Sequence, residues 1–401
     1  MKNYAFFAVF SFMLMAVSGC CHTPQVQDSG TRFAAEAVQP FVDSGECSGA
    51  ISVLYQDGKQ ETACLGWADV DKKIPMDLNK MFMQCSQTKG FCGVSIAILV
   101  EEGKISLDDP ISKYLPEFKD MKIVVRGADK KVTLVPAKTP ITIRMVMNHT
   151  AGFPFEVPTK NKKGWASLSL QDSAREAAAN PLRFEPGTRV QYSNTGIDIG
   201  AAIVEVVTGK GWDEFLKERV LDPLEMENTT FNPSDKQLAN SVQMYKVKAG
   251  KKAEFQAFAN SMPLPHNGPT VFPSAGAGLW TNAADQIKFY KMLMNLGIGD
   301  NGVRILKEET VLELIAKNSR PKKLGGYSLG LAVNSRGDIA HGGAYGTSAR
   351  VNWKKKQMAL WVTQQTGGPR PWSAAWNKAV AKFFAETSTK SIADEYTGRT
   401  K

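Results

Sequence analysis

A serine and a lysine three positions apart, Ser86 and Lys89, open an apolar run in "MFMQCSQTKGF" (residues 81–91). On a helix that spacing puts both side chains on one face, so the Lys89 amine can reach the Ser86 hydroxyl. A lysine takes a proton from a hydroxyl only while it is neutral, a state that burial or a neighbouring cation brings about. At a helix start, free backbone N–H groups and the dipole also favour a developing anion. The alternative is a capping serine beside a lysine that runs to the surface. The same spacing recurs at Ser319 and Lys322, but there Pro321 interrupts it among polar residues, and a loop is expected.

Two further groups have side chains that chemistry needs. Tyr192-Ser193-Asn194 follows the Pro186-Gly187 turn and precedes an apolar stretch expected to be helical. A tyrosine there relays a proton if a cation such as Lys89 acidifies its phenol. The Asn194 amide offers both donor and acceptor to a substrate amide or ester. The alternative is a helix cap and a packed tyrosine. His341-Gly342-Gly343-Ala344 stands at the edge of a strand-like segment. Glycines there let a ligand approach the backbone, and a strand-edge N–H can point at an oxyanion.

These groups need a scaffold. A short amphipathic segment at 33–43 precedes "GAISVLYQDGKQETACLGWADVD", whose apolar alternation around Asp57-Gly58 reads as a hairpin. From Ser86 to Glu102 the chain is apolar on nearly every side, as a helix in the middle of a fold must be. Gly90 and Gly93 weaken that helix and let neighbouring backbone come close. Between about 116 and 264 the pattern suggests helices, among them 168–179 and 195–207. A helix capped by Thr281 or Asn282 follows. "GGYSLGLAVNS", "SARVNWKK" and "QMALWVTQQ" alternate like strands, with Lys354–Lys356 turning one into the next, and 371–386 closes as an amphipathic helix. The expected class is α+β: a sheet from both chain ends, flanked by helices, with an inserted all-helical domain. The boundaries are 1–19 for a leader, 20–32 for a tether, 33–115 and 265–388 for the sheet domain, 116–264 for the helical domain and 389–401 for a loose tail.

The leader is read from Lys2, the apolar run Tyr4–Val17 and the small residues before Cys20. The run is short for a bilayer span and suits an export signal. The box before Cys20 resembles that of bacterial lipoproteins, which implies cleavage there and a lipid on the Cys20 sulfur; a plain secretory peptide is the alternative. The protein is thus expected in the cell envelope, held to the membrane by this anchor and facing the periplasm or exterior. Export permits disulfides among Cys47, Cys64, Cys85 and Cys92, and free thiols are equally open. Cys85 to Cys92 is not the expected pair, since seven helical steps span about 10 Å. The 401 residues carry a formal charge of +10. Its lysines lie in short scattered runs with no aromatic-interleaved basic stripe, so no nucleic-acid partner is expected.

Taken together and in order, the three groups resemble the serine β-lactamase and penicillin-binding protein superfamily, in its class C-like branch. That branch holds class C β-lactamases, D,D-carboxypeptidases, D-aminopeptidases and family VIII esterases. Its marks are Ser-x-x-Lys, Tyr-x-Asn and Lys/His-x-Gly, matched by Ser86/Lys89, Tyr192/Asn194 and His341/Gly343. "VEEGKISLDDPISKYLPEF", "ITIRMVMNHTAG", "FEPGTRVQYSN", "GAGLWTNAADQIKFYKML" and "HGGAYGT" extend the similarity over about residues 45–385. The resemblance implies a β-lactamase/transpeptidase-like fold with the site between sheet and helical domain. It implies Ser86 as nucleophile, Lys89 as general base and Tyr192 as proton relay. The backbone N–H groups of Ser86 and Ala344 would form the oxyanion hole. Asn194 would hold the substrate amide, Gly343 would line the site, and His341 would face the substrate's anionic or polar end. No metal or organic cofactor is implied.

His341 stands where class C β-lactamases carry lysine, and a histidine is mostly neutral at pH 7. That shifts the expectation from β-lactams towards small esters, D-amino-acid peptides or cell-wall peptide. Gln84 and Cys85 before the nucleophile depart from the family pattern. The other class of function is a catalytically silent relative that binds cell-wall peptide or a protein partner. A Ser–His–Asp hydrolase of the Gly-x-Ser-x-Gly type is disfavoured.

Overall fold

The computed structural model describes residues 27–28, 32–156, 158–159, 167–248, 250–256, 272–316, 326–334 and 338–397. Cys20, the leader and the Ser319/Lys322 pair lie outside the described residues.

Alternation builds the sheet. Strands β1 (Gly49–Gln56) and β2 (Lys59–Asp69) pair antiparallel across Asp57 and Gly58, whose φ of 46° and 82° fit a tight hairpin turn. From the far end of the chain come β3 (Ala332–Val333), β4 (Ile339–Gly342), β5 (Ser348–Asn352) and β6 (Gln357–Val362). The spatial order is β2-β1-β6-β5-β4-β3, so β1 and β6 join the two chain ends, from Ile51 opposite Val362 to Gln56 opposite Gln357.

Each face of the sheet has its own cover, because successive side chains point to opposite sides. Ala50, Leu54, Leu65 and Trp361 pack against Phe33 and Val38 of helix α1 (Phe33–Asp43) and Trp372, Trp376 and Phe383 of the C-terminal helix. The buried Glu61 carboxylate of β2 takes bonds from the first N–H groups of α1, Phe33 at 2.9 Å and Ala34 at 2.7 Å, tying that helix to the sheet. On the other face Ile51, Val53, Leu360 and Val362 join the main core with α2 (Thr88–Glu101). Every residue of α2 from Thr88 to Leu99 is buried. Two other helices complete the site: α3 (Asn194–Thr208), capped by the Ser193 hydroxyl on Gly196 N at 3.0 Å, and α4 (Ala283–Met294), capped by Asn282 on Asp285 N at 2.8 Å.

The glycines of α2 have a measurable purpose. A side-chain carbon on Gly93 would stand 2.2 Å from the Leu329 carbonyl oxygen, and one on Gly330 would stand 2.1 Å from that of Lys89. The loop at 326–331 therefore lies backbone against backbone on α2. This is why "GGYSLGLAVNS" yields only the two residues of β3 rather than a long strand.

Three expectations are corrected. The segment expected to be all-helical holds an exposed hairpin, Lys122–Arg126 with Val132–Pro136, and the short strands Tyr245–Val247 and Glu254–Phe255. The β-branched residues of "KIVVR" and "VTLVP" favour strands even without burial. The last helix, α5, runs Pro371–Thr397 rather than ending near 386 before a loose tail. No glycine or proline occurs after Pro371 until Gly398. Finally, Ser86 sits not in α2 itself but in a 3₁₀ turn, Cys85–Gln87, that feeds it.

Candidate active site

Lys89 lies in the first turn of α2 with no solvent exposure. Its Nζ stands 3.2 Å from Ser86 Oγ, 2.7 Å from Asn194 Oδ1 and 2.6 Å from the Gly276 carbonyl oxygen. The reading of a lysine running to the surface is thereby excluded. Burial pulls the amine below the usual lysine range, and the Asp198 carboxylate, with Cys85 and Cys92, pulls the other way. The partner set matters. Asn194 Oδ1 and the Gly276 oxygen only accept, so they take the two N–H bonds of a neutral amine. Its lone pair is left for the one neighbour with a proton to give, the Ser86 hydroxyl.

The turn that presents Ser86 is held from several sides. Cys85 has a φ of 53°, in the left-handed region, at a cost of about 1–2 kcal/mol. Thr88 Oγ1 donates to the Cys85 carbonyl at 2.6 Å, and Gln87 Nε2 donates to the His341 carbonyl at 3.2 Å. Thr347 Oγ1 donates to the Gln84 carbonyl at 3.2 Å. These bonds lay the turn after β4, residues 342–347, against the residues before Ser86. Gly343 N donates to the Thr347 carbonyl at 2.8 Å, and a side chain on Gly343 would strike the Gln84 carbonyl oxygen at 2.5 Å. The Cys85 thiol is buried; burial raises it to about 12, against the pull of the Tyr345 and Ala344 N–H groups. Cys47, Cys64, Cys85 and Cys92 are all free.

Tyr192 is in the site but not as expected. The Lys89 amine lies 4.6 Å above its ring centre, over the face of the ring. The phenol is not acidified: burial pushes it to about 12, against the Ser86 and Tyr327 hydroxyls. Asn194 is the first residue of α3, its backbone N–H held by the Phe155 carbonyl at 2.8 Å.

His341 also departs from expectation. Its Nδ1–H donates to the Gly342 carbonyl at 2.7 Å, so Nε2 is bare and accepts from the Tyr327 hydroxyl at 2.6 Å. Burial, with the Lys89 charge second, lowers the imidazole to about 3. With both nitrogens engaged and no charge, the ring is not built to hold an anion.

Three neighbours escaped the sequence reading. Tyr327 comes from the loop pressed on α2. His149, in the quoted "NHTAG", stacks near Tyr192 and Tyr327 with ring centroids 4.4 and 4.3 Å away. Its Nδ1 accepts from Ser193 N at 3.3 Å, and its Nε2 has no partner among the described residues. Asp198 lies one turn along α3 from Asn194. A lone carboxylate in "TGIDIGAAIV" was the signal available for it. A Gly-x-Ser-x-Gly pentapeptide does occur, at Gly326-Tyr327-Ser328-Leu329-Gly330. Ser328 is fully buried and its hydroxyl donates to the Leu314 carbonyl, so it presents no nucleophile.

The family model described as Beta-lactamase matches residues 34–381. The chain belongs to the Beta-lactamase family. A family relative, an uncharacterized protein of Mycobacterium tuberculosis, is 30% identical over 282 residues, 69% of each chain. Among solved structures the fold is similar to EstCE1, described as a hydrolase with promiscuous acyltransferase activity (TM-score 0.70, 23% identity, 87% of this chain and 97% of that one). It is also similar to simvastatin synthase (LovD) from Aspergillus terreus (TM-score 0.72, 18% identity, 88% and 97%) and to FmtA from Staphylococcus aureus (TM-score 0.66, 18% identity, 86% and 88%). These likenesses bear out the β-lactamase/transpeptidase-like fold.

Proposed function

We propose that the protein is a serine hydrolase of ester or amide bonds that acts through an acyl-enzyme on Ser86. The observation that carries this reading is the buried Lys89 amine 3.2 Å from the Ser86 hydroxyl, its two other partners being carbonyl acceptors, so that its neutral form has a lone pair for that hydroxyl. Ser86 Oγ bonds to the substrate carbonyl carbon, its proton passes to Lys89, and the carbonyl π pair moves onto oxygen. The Ser86 N–H, together with the Ala344 N–H once it turns from the Cys85 sulfur it faces in the resting site, stabilises that oxyanion. The bond to the leaving group then breaks, and the proton held by Lys89 reaches the leaving atom with Tyr192 as relay. Water attacks the acyl carbon and gives its proton to the same base; the bond from that carbon to Ser86 Oγ then breaks, the proton returns from Lys89 to Ser86 Oγ, and the acid is freed.

Within this class, esters and D-amino-acid peptides are favoured over β-lactams. Where class C β-lactamases carry a lysine, an uncharged imidazole with both nitrogens engaged supplies no charge for a β-lactam carboxylate. No observation favours the silent binder.

A fluorophosphonate should label wild-type protein at Ser86, read by peptide mass. Ser86→Ala should retain its fold and lose turnover of a p-nitrophenyl ester by about a thousandfold or more. Turnover that survives the substitution would place the chemistry elsewhere, and absence of label would favour the silent binder. On a panel of short esters, D-alanyl peptides and a chromogenic cephalosporin, the cephalosporin should be the poorest by kcat/KM.

A further inference from the structure

We propose that Asp198 is a positioning residue of this site: its buried carboxylate clamps the Ser274–Gly276 segment that orients the Lys89 amine, and shares a proton with that amine. The proposal rests on Lys89 acting as the base for Ser86.

The geometry forms a chain. Asp198 stands four residues after Asn194, on the same face of α3, and is 7% exposed. Its Oδ1 accepts from Gly276 N at 2.9 Å and from Ser274 Oγ at 3.2 Å. The same Gly276 offers its carbonyl to Lys89 Nζ at 2.6 Å. Gly276 thus stands between acid and amine, donating to one and accepting from the other. It also backs onto Asn194, where a side chain would lie 2.8 Å from Cβ and Cγ. A carboxylate that fixes Gly276 therefore fixes both carbonyl acceptors around Lys89.

The remaining groups near Lys89 leave Asp198 as its counter-charge. Cys85 from the preceding turn and Cys92 from α2 are thiols raised by burial, Cys85 to about 12 and Cys92 well above its ordinary value. Tyr192 is held at about 12, while His149 and His341 are lowered by burial and stay uncharged. Asp198 itself is pushed up by burial, against the Gly276 N–H and the Lys89 charge. At intermediate pH one proton belongs to the pair. On the carboxyl it leaves Lys89 a base; on the amine it leaves Lys89 inert.

Asp198→Asn keeps an acceptor for Gly276 N and Ser274 Oγ but removes the charge. The Lys89 ammonium loses its counter-charge, so the neutral amine persists to lower pH. The acid limb of kcat/KM for a p-nitrophenyl ester should move down by about one pH unit or more, with the plateau within about threefold of wild type. Asp198→Ala removes the clamp too and should lower plateau kcat about tenfold or more. Ser274→Ala, a milder change, weakens the support of the carboxylate and should shift the limb less, in the same direction. An unmoved acid limb in folded Asp198→Asn and Ser274→Ala overturns the proposal, as does an equal loss at every pH.

A second readout does not need turnover. With isotope-labelled lysine, the Lys89 Cε resonance, assigned through Lys89→Arg, should titrate at lower pH in Asp198→Asn than in wild type. If wild type fails to react at Ser86, the hydrolase reading fails by itself. The lysine titration still decides Asp198, and an unshifted Lys89 refutes it.

Discussion

Lys89 and His341 are bases with the same problem: each is buried where its charged form is disfavoured, and among the described residues a carboxylate acts on Lys89 alone of the two. For His341 the consequence reaches stability. Its imidazole is lowered to about 3 in the folded protein, while an unfolded chain returns it to about 6.5. Between those values the unfolded state holds a proton that the folded state does not, so stability falls as pH drops through that window. His341→Gln removes this penalty. The stability advantage of wild type over the variant, from urea unfolding, should shrink by about 2 kcal/mol between about pH 7.5 and about pH 5. A constant difference would mean the imidazole is not held neutral. At this scale the sequence exposed Ser86 and Lys89, because a three-residue spacing on a helix is a contact. It could not expose the bond from Tyr327 to His341, 14 residues apart, or from Asp198 to Gly276, 78 apart.

The element that carries the site is α2 with its preceding turn, and its glycines give the sharpest prediction. In an ordinary helix Gly→Ala stabilises by about 1 kcal/mol. At Gly93 the added methyl would stand 2.2 Å from the Leu329 carbonyl oxygen, a backbone atom that cannot swing aside. Gly93→Ala should therefore destabilise, by about 1–3 kcal/mol net, read from the urea midpoint. A rise in the midpoint would show that the 326–331 loop does not press on the helix. The same change should cut turnover, because Tyr327 rides on that loop. Periodicity marked α2 as central and its glycines as points of close approach. It did not say which segment approaches, since a loop of "GGYSLG" composition has no period to read.

Across the whole molecule, the sheet draws β1 and β6 together from opposite ends of the chain, and the helices that cover it bring Ser86 and Tyr192 to His341 on β4. Among the described residues no helix is long and apolar enough to cross a membrane. We propose that attachment comes instead from a lipid on Cys20, as the leader and its small-residue box suggest. Cys20→Ser should move the protein from the membrane pellet to the soluble fraction; unchanged pelleting would refute the anchor. The sequence alone determined β1, β2, β5 and β6, the central helix and the pair Ser86 and Lys89, because alternation, apolar periodicity and short spacing are local properties. Resemblance joined Tyr192 and His341 to them. Only the tertiary structure decided the electrical state of the site: that Lys89 faces two carbonyls and a hydroxyl, that Tyr192 is not acidified, that His341 is neutral and occupied, and that Asp198 stands behind Gly276. Desolvation and hydrogen-bond partnership depend on what the rest of the chain packs around a group, which spacing along the chain does not specify.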